Sequence, residues 1–338
     1  MSGNRKKGSG VRKYIDDLLH RSVSLTRSNP CGSTLARSEH ELARRFSFSR
    51  ILANSVGRIM GPMQFPGKGR LTNWMGKIAS RFVLEADCHP VPGARVIVSL
   101  NDRVGRLMWT GCYEPELVAF LRQVLDPGTT FVDVGAHIGY FSILAAALVA
   151  EIGAVYSFEP DPDCFSRLAV NSCPYPWIIT YNSAVADRNG EISFYRSPKQ
   201  SESGWGAIFN EDGKRAELSV RVCTLDNWMS REGIEKIDVL KMDVEGSEYR
   251  VLEGAQALIA RTRPLMWMEA NGVCLSRDAK SVSLLLGRLV GWDYVTRGVS
   301  NRHSGSVENI VAIPRERADL LERITSANLG LRSIATAG

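Results

Sequence analysis

The amino-acid sequence predicts an α/β fold, a mostly parallel sheet with helices on both faces. Three observations predict it. Short apolar runs alternate with helix-period segments from Thr129 onwards. A glycine-bearing loop follows the first of these runs, and the runs end in carboxylates at Asp133, Glu159 and Asp243. Strands that alternate with helices pair in parallel and are covered on both sides.

Phe131–Val134 reads as the first strand of the core, followed by the loop and a helix over Tyr140–Ala150. Ala154–Phe158 is the second strand. Asp161-Pro162 then supplies an N-cap and a proline suited to the first helical position, opening a helix towards Asn171. Ile178–Val185 is the third strand and Ile237–Met242 the fourth. A helix from about Ser247 carries Val251, Leu252, Ala255, Leu258 and Ile259 on one face. Leu265–Met268 is the fifth strand; Asp293–Thr296 and Asn309–Ile313 are late strands, with a helix at about Val282–Leu289. Between Gly190 and Leu225 the expected helix is replaced by alternating patches, Glu191–Tyr195 and Glu217–Val222. They flank a Gly/Ser/Trp stretch from Ser201 to Gly213, the pattern of an inserted β-hairpin whose loop serves as a substrate lid.

Ahead of this core, Arg95–Leu100 reads as a strand and Tyr113–Leu125 as a helix with Leu117, Phe120, Leu121 and Leu125 on one face. Four regions are therefore expected: a basic, disordered arm at 1–50, an α/β extension packed on the core at 51–127, the core at 128–315, and a C-terminal helix and tail at 316–338.

Hydrophobic residues make up 44% and charged residues 23% of the 338, enough for a sizeable core. No apolar run approaches the roughly 20 residues of a membrane span. Seven scattered cysteines form no C-x-x-C pair, which excludes a zinc ribbon and a disulfide framework and points to a reducing, cytoplasmic setting. Residues 1–50 hold eleven Lys or Arg against four Asp or Glu, so the net charge of +6 belongs to the arm. A basic arm of this kind lies on nucleic acid, on an anionic membrane, or in solvent. The near-neutral core argues against nucleic acid.

In an open parallel sheet, ligands sit beyond the carboxyl ends of the strands where strand order reverses. The first strand ends in Asp133-Val-Gly135-Ala136-His137-Ile-Gly139. The spacing departs from the G-x-G-x-x-G of dinucleotide folds. An acid just ahead of the loop repels phosphates and suits a ligand carrying ammonium and sulfonium charge. Glu159, ending the second strand, has the place and chemistry to accept hydrogen bonds from a ribose diol, since Asp161 already caps the next helix. The fourth strand ends in Asp243-Val-Glu245-Gly-Ser-Glu248. Glu248 suits a helix first turn, whereas Asp243 and Glu245 call for a cation, a donor or a reacting proton. The fifth strand adds Glu269 and Asn271; Glu269 reads equally as a buried acid paired with Lys241 or an arginine.

The ordered motifs F-V-D-V-G-A-H-I-G-Y-F-S, Y-S-F-E-P-D-P, N-S-A-V-A-D, T-L-D, L-K-M-D-V-E-G-S-E and P-L-M-W-M-E resemble the FkbM-type methyltransferases over roughly Gly111 to Ile313. The resemblance implies a Rossmann-like class I S-adenosylmethionine fold and methylation of an oxygen on a sugar, glycolipid or polyketide-like product. It implies that Asp133, Gly135 and Gly139 frame the methionine part of the cofactor, Glu159 the ribose, and Ser183 with Ala184 the adenine, with Ala136, His137 and Asp243 as further cofactor contacts. Asp243 and Glu245 face the methyl-transfer centre. The loop's fifth residue is usually Asn in such proteins and is His137 here, a group that titrates near pH 6.5 when unperturbed. The expected bases are Asp243 or Glu245, then His137, then Glu269. A secondary reading gives Asp243, Glu269 and Asn271 a Mg²⁺ ion. Two alternatives stand beside the leading function: an RNA-associated methyltransferase using the arm, and a non-catalytic cofactor-binding scaffold.

Overall fold

The Gly- and Pro-rich stretch ahead of the predicted core holds more regular structure than its sequence pattern announces. The computed structural model describes residues 50–63, 65–196, 216–270, 282–300, 307–321, 324 and 331–332. Residues 49–338 form one compact unit. Helix α1 covers residues 50–60 and α2 spans Lys68–Ala79. Strands β1 (Glu85–Cys88) and β2 (Val96–Ser99) pair antiparallel, the latter matching the predicted Arg95–Leu100 strand. Asp102 accepts a hydrogen bond from the Val104 N–H and so caps α3 (Arg103–Trp109). Helix α4 (Pro115–Val124) starts on its proline, two residues inside the predicted limit, after Glu114 turns the chain with φ 37°.

The core then follows the predicted order. β3 is Thr130–Val134, α5 Tyr140–Val149, β4 Ala154–Phe158, and α6 Pro162–Ser172, with the Asp161 carboxylate capping α6 at the Asp163 and Cys164 N–H groups. The predicted third strand breaks in two. β5 (Ile178–Tyr181) stays in the main sheet, while β6 (Ala184–Val185) joins a second, three-stranded sheet. Asn182 makes the break: its side-chain amide donates to the carbonyls of Glu159 and Pro160 and turns the chain away. The inserted hairpin is present as β7 (Gly190–Arg196) and β8 (Ala216–Cys223), antiparallel to each other. The stretch from Ser201 to Gly213 lies outside the described residues.

Helix α7 (Leu225–Glu232) and β9 (Val239–Met242) follow. The helix predicted from Ser247 is two short ones, α8 (Glu248–Glu253) and α9 (Gln256–Thr262). The T-L-D segment explains the second start. Thr224 caps α7 through the Asn227 N–H, and Asp226 reaches across to cap α9 at the Ala257 and Leu258 N–H groups. β10 (Leu265–Glu269), α10 (Val282–Gly291), β11 (Tyr294–Ser300), β12 (Val307–Pro314), a 3₁₀ turn (Arg315–Arg317) and β13 (Leu331–Arg332) follow. Within the region expected as a C-terminal helix and tail, residues 320, 321 and 324 are helical, β13 pairs with β11, and most of the rest lies outside the described residues.

The eight-stranded sheet runs β13-β11-β12-β10-β9-β3-β4-β5. The five strands from β10 to β5 are parallel, and β12 is antiparallel to both neighbours. Side chains alternate between two cores. Phe131, Val155, Val239 and Trp267 pack with α4 and α5, while Val132, Val134, Leu240 and Met242 pack with α7, α8 and α9. The chain moves from β3 to β4 and β5 on one side, then returns to place β9 and β10 on the other. The strand order therefore reverses between β3 and β9, and a crevice opens there.

Candidate active site

The loop after β3 is fixed by backbone bonds. Gly135 and Ala136 both donate to the Phe158 carbonyl, at 3.0 and 2.9 Å. Gly135 has φ +78°, and a Cβ added to it would lie 1.9 Å from the Asp243 carbonyl oxygen. Only glycine lets β3 leave the sheet this close to the end of β9.

Glu159, buried at the end of β4, holds the same loop. Its Oε2 accepts from the His137 N–H and its Oε1 from the Asp161 N–H, each at 2.8 Å. Each oxygen retains a further lone pair for a ligand. Burial pushes this carboxyl up to about 7 against the pull of the two backbone bonds. Asp161 is clamped in turn by Arg196 of β7, with contacts of 2.6 and 2.7 Å, which ties the hairpin to the end of β4.

β9 carries a lysine where a central strand ordinarily carries an apolar residue. Lys241 is 2% exposed. Its Nζ donates to the Gly135 carbonyl at 2.8 Å and lies 3.0 Å from Asp133 and 3.6 Å from Asp243. Burial opposes the ammonium charge, but Asp133 and Asp243 outweigh it and raise its pKa. Asp133 is wholly buried beneath the loop, accepting also from Ser142 Oγ at 2.7 Å. Lys241 therefore pairs with Asp133 and Asp243, and Glu269 is not among its ion-pair partners.

An open crevice of about 850 Å³, with the solvent at its mouth included, lies over these strand ends. Gly135, Ala136, His137, Glu159, Ser183, Ala184, Asp243 and Glu245 all line it, so eight of the residues expected from sequence meet at one surface. Asp133 and Gly139 do not line it. Glu269 approaches from β10: carboxylate oxygens of Asp243, Glu245 and Glu269 lie within 4.8 Å of one another. Burial and the charges of Asp243 and Glu245 push Glu269 up to about 11, so it holds a proton at neutral pH. Glu248 folds its carboxylate back onto the Val244 and Gly246 N–H groups and braces the turn that carries Glu245, whose φ is 53°. Asn271 lies outside the described residues.

His137 differs from the expectation of a group titrating near 6.5. Burial lowers it to about 4, so the imidazole is neutral across the physiological range and a poor proton acceptor. The sequence reading also missed part of the wall. Met108 of α3 and Tyr113 ahead of α4 line the cavity from the extension, and Phe194 lines it from the hairpin. Tyr113 stacks on Phe141 with ring centroids 5.6 Å apart. Beside it Glu114 is pushed up to about 8 by burial and by the charge of Asp243. Apart from the Glu-Pro step at Glu114, no sequence signal marks these residues.

Among the described residues the wall thus combines carboxylates with one cation, Lys241, which is already paired with Asp133 and Asp243. Acids gathered in a wall of this kind suit a cationic ligand or a proton to be taken up. Comparisons with known proteins point the same way. The Methyltransferase FkbM domain family matches residues 133–296. The 2-O-methyltransferase NoeI of Sinorhizobium fredii is 32% identical over 186 residues, covering 50% of this chain and 76% of that protein. The hexuronic acid methyltransferase AglP of Haloferax volcanii is 27% identical over 190 residues, covering 55% and 74%. The 31-O-demethyl-FK506 methyltransferase FkbM of Streptomyces tacrolimicus is 30% identical over 161 residues, covering 39% and 61%.

Proposed function

The chain belongs to the FkbM methyltransferase family, and from that premise we propose that it binds S-adenosylmethionine and methylates a hydroxyl of a sugar, glycolipid or secondary-metabolite acceptor. One observation carries the reading of the site: Glu159, Asp243 and Glu245 line the same cavity at the point where strand order reverses. The wall also fits the charge of this cofactor, since its acids face a ligand with ammonium and sulfonium groups and its lysine is neutralised by Asp133 and Asp243.

On this reading the spare lone pairs of Glu159 receive the ribose hydroxyls. Gly135, Ala136 and His137 hold the methionine portion, with Asp133 fixing the loop from below through Lys241. Ser183 and Ala184, with Phe194 behind them, border the adenine. The cofactor, when bound, supplies an activated methyl group, so orientation of the acceptor hydroxyl does much of the work. Asp243 or Glu245 accepts the proton that this hydroxyl loses, a contribution of about 10²–10⁴-fold. His137, at about 4, falls behind both as a base. Tyr113 forms the acceptor side of the wall.

The trio of Asp243, Glu245 and Glu269 favours a second reading, a divalent cation held by their oxygens. Labelled cofactor offered to sugar, lipid and RNA pools, with and without chelator, tests both. Label transferred to sugar or lipid in chelator supports the proposal. Transfer to RNA alone would overturn the acceptor, and transfer that requires added Mg²⁺ would replace the metal-free mechanism.

A further inference from the structure

The extension turns its large apolar side chains outward. Nine of the fourteen exposed large hydrophobics among the described residues fall between Ile51 and Leu84, so they form a concentration rather than a scatter. In α2 the buried positions are Lys68, Thr72 and Gly76, one turn apart, whereas Leu71, Trp74 and Ile78 form an exposed apolar stripe. Close approach explains the inversion. A Cβ on Gly76 would lie 2.3 Å from Arg106 Cδ, and one on Gly57 would lie 2.5 Å from Trp109 Nε1. Each helix thus sets one glycine, Gly57 or Gly76, against α3, and Leu52 and Ile59 of α1, like the stripe of α2, face solvent.

The charge of this segment is one-sided. Residues 50–84 contain six Lys or Arg and no Asp or Glu, and Arg58, Arg70, Lys77 and Arg81 are exposed beside the apolar side chains. We propose that α1 and α2 dock the protein on an anionic lipid surface, with Trp74 and its apolar neighbours entering the headgroup region and the cations meeting lipid phosphates. Aromatic and aliphatic side chains interleaved with Lys and Arg are the composition of helices that lie in a membrane interface. A second copy would bring like charges together across a twofold axis. Residues 1–49 are themselves net basic, which disfavours them as a cover for this face. No described helix is long and apolar enough to cross a membrane, so the contact is peripheral. The inference stands apart from the acceptor's identity, because its readout is binding.

The test is sedimentation of the full chain with vesicles of phosphatidylcholine alone or with about a third phosphatidylglycerol. The expected result is binding that requires the anionic lipid and weakens with salt. Trp74→Glu with Ile78→Glu lowers the partition about tenfold or more, and Lys77→Glu with Arg81→Glu does so for anionic vesicles, while the thermal transitions stay at the parent value. Equal binding of parent and variants would transfer the role to residues 1–49 and overturn the proposal. So would absence of binding to anionic vesicles, or a dimer that Trp74→Glu dissolves.

Discussion

Replacing Glu159 by Gln keeps the side chain's shape and removes one acceptor. The carboxylate takes the His137 and Asp161 N–H groups on separate oxygens, each at 2.8 Å. An amide satisfies one and points its NH₂ at the other, whichever way it is turned. A hydrogen bond to a charged group contributes about 1.5–3 kcal/mol, and an N–H left unsatisfied costs about 1–3 kcal/mol. The amide likewise offers the ribose hydroxyls one acceptor fewer and no charge, so the cost to cofactor binding is about 2–4 kcal/mol, a rise in Kd of roughly 30- to 1000-fold. Calorimetric titration with S-adenosylhomocysteine measures it. The pH dependence is a second signature. Glu159 sits at about 7 without ligand, and ribose hydroxyls favour its ionised form, so parent affinity rises with pH up to about 7 and then levels off. The sign is opposite for the stability of the free protein. A folded-state value above the ordinary one means that the folded chain holds the proton more tightly, so stability falls as pH rises through that window. Glu114 and Glu248, pushed to about 8, add the same sign. A Gln variant with the parent's Kd, or parent affinity that is flat between pH 5 and 8, would refute the assignment.

Asp243→Asn and Glu245→Gln are expected to divide the chemical step from cofactor retention. The variant lacking the base loses about 10²-fold or more in single-turnover rate while its cofactor Kd changes little; a variant that methylates at the parent rate is not missing the base. Lys241→Met strands the buried Asp133 and lowers unfolding free energy by about 3–5 kcal/mol in urea. Adding Asp133→Asn restores most of it, and a single variant as stable as the parent would remove the ion pair from the account. Deleting residues 1–48, which leaves the Arg50–Asp87 contact in place, is expected to preserve the thermal transition and cofactor affinity. A truncated chain without a cooperative transition would make the arm part of the fold.

The strand ends were legible because parallel strands read as apolar runs and their polar ends stand out against them. Ala154–Phe158 is found as expected, and Gly135, Glu159, Asp243 and Glu245 meet at one cavity. What was not legible depends on contacts distant in the chain. Asn182 divides the third strand through carbonyls more than twenty residues away. Asp226 starts a helix some thirty residues downstream. Lys241 was read as a partner for Glu269, because its buried partner Asp133 lies opposite it on β3, a neighbour in the sheet that is distant in the chain. The helix α2 inverted the usual rule, since backbone contact at Gly76 rather than apolar burial decides which side faces inward.

Met108 and Tyr113 reach the cavity from residues that precede the segment matched by the family, 133–296. Part of the wall proposed to face the acceptor therefore lies outside the segment that defines the family. Substitutions at Met108 or Tyr113 change that wall at positions other than those proposed to hold the cofactor, so the shape offered to an acceptor can vary while Gly135, Glu159 and Lys241 are kept. For the same reason, two relatives alike from Asp133 to Thr296 need not share a substrate, and divergence in acceptor choice is to be sought ahead of the family segment.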